Sequence, residues 1–227
     1  MGVKRIGVVA HGGLFTTELT NEDRYYFGNN YNKRIARCGG LPLGLLPSDG
    51  ELNEEAFDQC DALLISGGTK LWPYHFQAVH HAVKTGKKLL GICLGMQTTN
   101  QYFLSVEAAK ENGTEQTPFA LFHTPRPELG SVEGHCNPIV RDQEELCKHS
   151  VNLCQGSLIR QLVGEDSLKA ASVHKHCVTI PSKHVTVTGY AEDGTIEVIE
   201  YKDHILGTQF HPEVDDQLLC LFRWLCE

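Results

Sequence analysis

Lys88-Leu89-Leu90-Gly91-Ile92-Cys93-Leu94-Gly95-Met96-Gln97 decides how this chain is read. An apolar run of strand length passes straight into a helix start. A cysteine stands at the junction, with a glycine two residues to either side. A nucleophile on a sharp strand-to-helix turn needs small flanking residues, because its own backbone is strained and its neighbours are crowded. The helix N-terminus favours the thiolate, which is the reactive form. The backbone N–H of Leu94 then points towards a developing oxyanion, and Gly67-Gly68, after the neighbouring strand, offers a second donor. The competing reading is a buried structural cysteine in a glycine-flanked turn, so the choice rests on whether a base exists elsewhere.

Working outward, residues 4–10 form a β-branched run closed by glycines, a first strand. Residues 24–38 predict a helix, with Phe27, Tyr31 and Ile35 at spacing four and Gly39-Gly40 as the stop. A second strand spans 41–46, and Asn53 caps a helix running to Cys60. Residues 62–65 are a fully apolar strand, 74–85 a helix ended by Gly86, 88–92 a fourth strand, and 94–103 a further helix. Short apolar strands alternating with helices specify an α/β fold, a doubly wound, mostly parallel sheet with helices on both faces. Ligands bind such sheets at the carboxyl ends of the strands, where Gly67-Gly68 and Cys93 lie.

The C-terminal part is β-rich. Residues 185–190 and 196–201 flank Ala191-Glu192-Asp193-Gly194 as a hairpin, 205–210 is another strand, and 215–226 a closing helix. Residues 107–143 hold three prolines between Pro118 and Pro127 and little periodicity, which leaves a lid and an insertion equally open. No repeat, low-complexity tract or linker interrupts the chain, so residues 1–227 are expected to form one domain.

The 227 residues are 41% hydrophobic and 21% charged, with a net charge of −8 and no run of Lys or Arg. Nucleic acid and membrane surfaces are therefore not expected partners. The longest apolar stretches, 41–46 and 218–225, are too short to span a bilayer, and the N-terminus lacks a secretory pattern. A cytoplasmic location follows as the expectation. Nine cysteines without CxxC pairs argue against both a disulfide framework and a zinc knuckle.

The base is found in Thr208-Gln209-Phe210-His211-Pro212-Glu213. A histidine directly after a strand, with a carboxylate two residues on and a rigid proline between, suits a Cys–His–Glu relay. His211 would take the thiol proton and return it to the leaving amine, and Glu213 would hold the imidazole tautomer. His174 and His176 share one strand face, but no third ligand has suggestive spacing, so no metal is expected. Gly12-Gly13 lacks the continuation of a dinucleotide loop, and no cofactor is called for.

Gly91-Ile92-Cys93-Leu94-Gly95-Met96-Gln97 together with Gln209-Phe210-His211-Pro212-Glu213 resembles the class I glutamine amidotransferase-like superfamily, whose core is flavodoxin-like. More narrowly, the chain is similar to the γ-glutamyl-γ-aminobutyrate hydrolase branch, the C26 cysteine peptidases. Tyr31, Ile35, Gly39-Gly40-Leu41-Pro42, Gly67-Gly68 with Pro73-Tyr74, and Ser172-Val173-His174 follow that branch in order. The resemblance implies Cys93, His211 and Glu213 as triad and the Gly68 and Leu94 amides as oxyanion hole. It further implies Gly67, Gln97, Ser172 and His174 as substrate-binding residues. The chain departs from the branch at Leu94, where Arg is usual, at Lys70, where Asp is usual, and around Ala171-Ser172-Val173-His174-Lys175-His176, which keeps only Ser and His.

The implied reaction is hydrolysis of a small γ-glutamyl amide through a glutamyl thioester, without a cofactor. Leu94 is commoner in true amidotransferases and supports the alternative, an ammonia-supplying glutaminase subunit with a synthase chain as partner. A non-catalytic ligand-binding relative is the third reading. The amine side of the substrate and the oligomeric state, monomer or homodimer, stay open.

Overall fold

The computed structural model describes residues 2–16, 21–136 and 148–227. Nine strands make one sheet. In chain order these are β1 (Arg5–Val9), β4 (Leu41–Leu45), β5 (Ala62–Ile65), β6 (Lys88–Ile92), β8 (Lys148–Leu153), β9 (Ser167–Ala171), β11 (Thr186–Ala191), β12 (Ile196–Tyr201) and β13 (Ile205–Thr208). A ribbon of β2 (His11–Thr16) with β3 (Asn21–Tyr26) and a two-residue pair of β7 (Gly130–Ser131) with β10 (His176–Cys177) stand apart from it. The spatial order is β4-β1-β5-β6-β13-β12-β11-β8-β9. Pairings from β4 to β13 are parallel, and those from β13 to β9 are antiparallel.

Period-two alternation sends the side chains to two cores. Ile6, Val8, Leu64, Leu90 and Leu206 face α1 (Asn29–Arg37), α6 (Leu158–Val163) and α7 (Leu219–Cys226). Val9, Leu63, Ile65, Leu89 and Ile205 face α2 (Glu54–Asp58), α3 (Pro73–Thr85) and α4 (Leu94–Asn112). Each fully buried Leu or Ile contributes on the order of 2 kcal/mol of transfer free energy. Both faces of the parallel half are therefore covered, as the fully apolar strands require.

Four elements differ from the sequence expectation. The helix expected over 24–38 begins only at Asn29, because Arg24, Tyr25 and Tyr26 pair with His11, Gly12 and Gly13 as the end of β3. Helix α4 runs nine residues past Phe103, to Asn112, where Gly113 closes it with φ 64°. Its buried face includes Thr98, Thr99, Asn100, Gln101 and Ser105, so no amphipathic stripe marks its length. The expected helix over 215–226 is a 3₁₀ turn, Asp216–Leu218, leading into α7, with the Asp215 carboxylate accepting from the Gln217 amide. The last expected strand leaves the sheet after Thr208.

The aperiodic stretch after residue 107 resolves into the end of α4, helix α5 (Pro118–His123) and β7; residues 137–143 lie outside the described residues. Arg126 stitches it down, donating to Gln101 Oε1 at 2.7 Å and to the Phe122 carbonyl at 2.8 Å. Among the described residues, no helix is long and apolar enough to cross a membrane.

Helix α4 lies directly on the sheet. A Cβ at Gly95 would meet the Ile65 carbonyl oxygen at 2.2 Å, and one at Gly91 would meet the Gly95 carbonyl carbon at 2.6 Å. Backbone offers no rotamer with which to give way. Gly95→Ala is expected to lower the urea midpoint by about 1–3 kcal/mol of stability or to prevent folding. Gly2→Ala, which meets nothing within 4 Å, leaves the midpoint unchanged.

Candidate active site

The parallel register assembles the site. Leu206, Gly207 and Thr208 on β13 lie beside Leu90, Gly91 and Ile92 on β6, so the residues that follow each strand emerge together. Ile65 pairs with Gly91 in the same way, which brings Ser66, Gly67 and Gly68 alongside. Cys93 caps α4 in a left-handed conformation, φ 52° and ψ −101°. Its amide donates to the Thr208 carbonyl at 2.6 Å, and its own carbonyl accepts from Gln97 at 3.1 Å. A non-glycine residue at such angles is held there by its surroundings, at a cost of about 1–3 kcal/mol.

His211 follows β13 with its amide tied to the Ala171 carbonyl at 3.0 Å. Its Nδ1 lies 2.7 Å from Glu213 Oε1. That contact places a ring proton on Nδ1, facing the carboxylate, and leaves Nε2 buried with no hydrogen bond to any of the described residues. Burial by itself would depress the imidazole. The Cys93 sulfur and the Glu213 carboxylate outweigh it and hold the pKa up at about 10. Glu213 is itself buried, and Arg34 Nε donates to its backbone carbonyl at 2.9 Å.

The glycine loop is packed to contact. A Cβ at Gly67 would meet His211 Cε1 at 2.8 Å and the Cys93 Cβ at 3.4 Å. One at Gly68 would meet the His11 ring at 2.4 Å. His11 in turn reaches Ser66 Oγ at 2.8 Å through Nε2, and burial pushes its pKa down. The Gly67 amide is already engaged, donating to the Tyr31 hydroxyl at 3.2 Å. Burial first, then the neighbouring Glu213 charge, push the Tyr31 phenol up, so it stays protonated.

Cys93, Leu94 and Gly68 line a cavity of about 460 Å³, with Leu71, Leu129 and Cys136 as an apolar wall. The other expected substrate contacts are disposed differently. Gln97 lines the cavity, but its amide nitrogen donates to the His176 carbonyl at 2.9 Å and to Gln209 Oε1 at 3.0 Å. Ser172 is turned away, donating to the His135 carbonyl at 2.9 Å. His174 also lines the cavity, with its ring Nε2 against His135 and Glu197. Sequence reasoning misses Tyr31 and Arg34 as partners of Glu213; helical spacing marks Tyr31 only as core, and nothing local marks Arg34.

The arrangement is a strained thiol at a helix N-terminus, with a histidine–glutamate pair beside it and a small cavity in front. That constellation, on this sheet, is the class I glutamine amidotransferase-like fold. The Peptidase C26 sequence model matches residues 5–85 and 74–213. The chain belongs to the Peptidase C26 family and is an enzyme of the glutamine amidotransferase-like type. It is 27% identical over 222 residues to a CTP synthase of Chlamydia trachomatis serovar A, covering 88% of this chain and 39% of that protein. A CTP synthase of Methanothermobacter thermautotrophicus is 28% identical over 182 residues, covering 74% of this chain and 33% of that protein. The chain thus spans about two fifths or less of these relatives. In structure it matches a putative GMP synthase component from Thermoplasma acidophilum with TM-score 0.65 at 15% identity, over 99% of this chain and 94% of that one. A glutamine amidotransferase from Thermotoga maritima matches with TM-score 0.61 at 18% identity, over 99% and 82%.

The His211 shift has a consequence for stability. A pKa raised in the folded state, from an ordinary 6.5 to about 10, adds stability that is complete below 6.5 and lost as pH rises through 10. The stability difference between wild type and His211→Asn is expected to be largest near pH 6 and to shrink towards pH 10. Paired urea titrations across that range measure it; a difference that grows with pH contradicts the assignment.

Proposed function

We propose that this enzyme hydrolyses the γ-glutamyl amide bond of a small γ-glutamyl compound through a glutamyl thioester on Cys93. The observation that carries the reading is the strained Cys93 elbow, φ 52°, beside His211 with Glu213 at 2.7 Å behind it. The Cys93 sulfur attacks the γ-carbonyl while its proton resides on His211. The Leu94 amide, which lacks an intrahelical acceptor at the helix start, and the Gly68 amide receive the oxyanion. His211 passes the proton to the departing amine as the C–N bond breaks. It then takes a proton from water, which attacks the thioester and releases glutamate.

The raised imidazole suits this role, since it keeps the proton available for the leaving group at neutral pH. The cavity is sized for a small compound. Lys175 is a cation in its wall and no carboxylate lines it among the described residues, which suits the charge of a free glutamyl α-carboxylate.

The second reading, a glutaminase that supplies ammonia to a synthase chain, draws on two observations. Leu94 stands where the hydrolase branch usually has Arg, and the matched relatives named CTP synthase are more than twice as long as the matched region.

Glutamate release from L-glutamine and from a panel of γ-glutamyl amides separates the two. The hydrolase reading expects release from a γ-glutamyl amide by the isolated chain, abolished in Cys93→Ala. Glu213→Gln, which unsettles the tautomer, is expected to lower kcat by about 10²–10⁴-fold with the fold intact. Release from glutamine alone, weak until a synthase chain is added, supports the second reading. No release from any of them refutes both.

A further inference from the structure

Behind the cavity wall, three lone pairs converge. His135 Nδ1, His174 Nε2 and Glu197 Oε1 lie 3.2, 3.2 and 3.4 Å from one another. All three side chains are almost completely buried. The outer nitrogen of each ring already has an acceptor. His135 Nε2 sits 3.0 Å from Asp193 Oδ2, and His174 Nδ1 sits 3.2 Å from the His176 carbonyl. Those contacts place the ring protons outward, so both inner nitrogens present lone pairs to a carboxylate oxygen that is also an acceptor. Three acceptors facing one another call for a cation between them. A second pair of atoms points the same way: His149 Nε2 and Glu197 Oε2, 3.5 Å apart, are both buried with no hydrogen bond to any of the described residues.

We propose that His135, His174 and Glu197, with His149 beside the other carboxylate oxygen, form a binding site for a divalent transition-metal ion of the zinc type. Metal–ligand bonds of about 2.0–2.2 Å set tetrahedral ligand spacings of about 3.3–3.6 Å, close to the 3.2–3.4 Å among His135, His174 and Glu197. Histidine nitrogens with one carboxylate suit zinc, and carboxylate and carbonyl acceptors on the outer ring nitrogens are the usual support of a zinc-bound histidine. A cleft of about 470 Å³ lined by His135, His149 and Asp193 gives access.

The site draws its ligands from four separate segments. These are the strand β8, the strand β12, the turn after β7 and the stretch between β9 and β10. The last two also wall the active-site cavity, through Cys136 and Val173–His176. A bound ion would hold that wall in place without touching the reacting atoms. The inference stands independently of which amide the enzyme cleaves.

The test uses the full chain carrying Cys93→Ala, stripped with chelator and titrated with Co²⁺ and then Zn²⁺. The expected result is a single equivalent of Co²⁺ with the intense visible bands of tetrahedral coordination, no thiolate charge-transfer band, and displacement by Zn²⁺. Glu197→Gln and His135→Asn are each expected to weaken binding by at least about tenfold, while His80→Ala leaves it unchanged. Should those two variants fail to fold, Zn²⁺ is expected to protect His135, His149 and His174 from diethylpyrocarbonate in the otherwise native chain, read by peptide mapping. Folded protein that takes up no Co²⁺, uptake with thiolate bands, uptake unchanged in Glu197→Gln, or no protection overturns the site.

Discussion

A backbone-to-backbone contact governs this molecule: the first turn of α4 rests on the ends of β5 and β6 with no side chain between. Gly91, Gly95 and the Ile65 carbonyl meet at distances that exclude any Cβ. That closeness holds Cys93 in its positive-φ turn at the start of the helix. The register of β13 beside β6, which brings Gly207 opposite Gly91, then sets where His211 comes. Gly207 is itself needed there, since a Cβ would meet the Met96 side chain at 3.0 Å. Three glycines on one face thus set the geometry of a site to which none of them contributes a functional group.

Electrostatics takes over where packing ends. Glu213 and Glu197 are both nearly inaccessible, and an isolated buried carboxylate is severely penalised. Each is answered by imidazole. His211 faces Glu213, while His135, His149 and His174 surround Glu197. The segment from Ser172 to His176 runs between these two groups, with its outward face on the cavity. Polar interactions rather than hydrophobic contacts therefore hold this wall, including the Gln97 bridge to the His176 carbonyl and to Gln209.

What is legible in the sequence is local. Apolar strands of fixed period, glycine punctuation and the Gly-x-Cys-x-Gly turn each carry their meaning within ten residues, and so the parallel half can be read in order. His-Pro-Glu likewise declares itself by spacing. Helix α4 reads too short because its buried polar residues, among them Asn100 and Gln101, serve the backbone carbonyls of Ile180 and Pro127 and mimic a solvent face. The ribbon of β2 and β3 escapes notice because helical spacing from Phe27 onward extrapolates backwards across a turn. The partners of Glu213 and Glu197 are illegible for a different reason. Tyr31 and Arg34 lie some 180 residues before Glu213, and His135 lies 62 before Glu197, so only tertiary structure brings them together.

The position of β13 also bears on how the chain reaches its native state. This strand is the seam of the sheet, parallel to β6 on one side and antiparallel to β12 on the other. It follows β6 by more than a hundred residues, so Cys93 and His211 are joined by a contact of very long range in sequence. Such contacts carry a high loop-closure entropy and form late. Until the seam closes, Cys93 has no histidine beside it. Pairing of Cys93 with His211 is therefore a late event in folding, after the local elements on either side of it have formed.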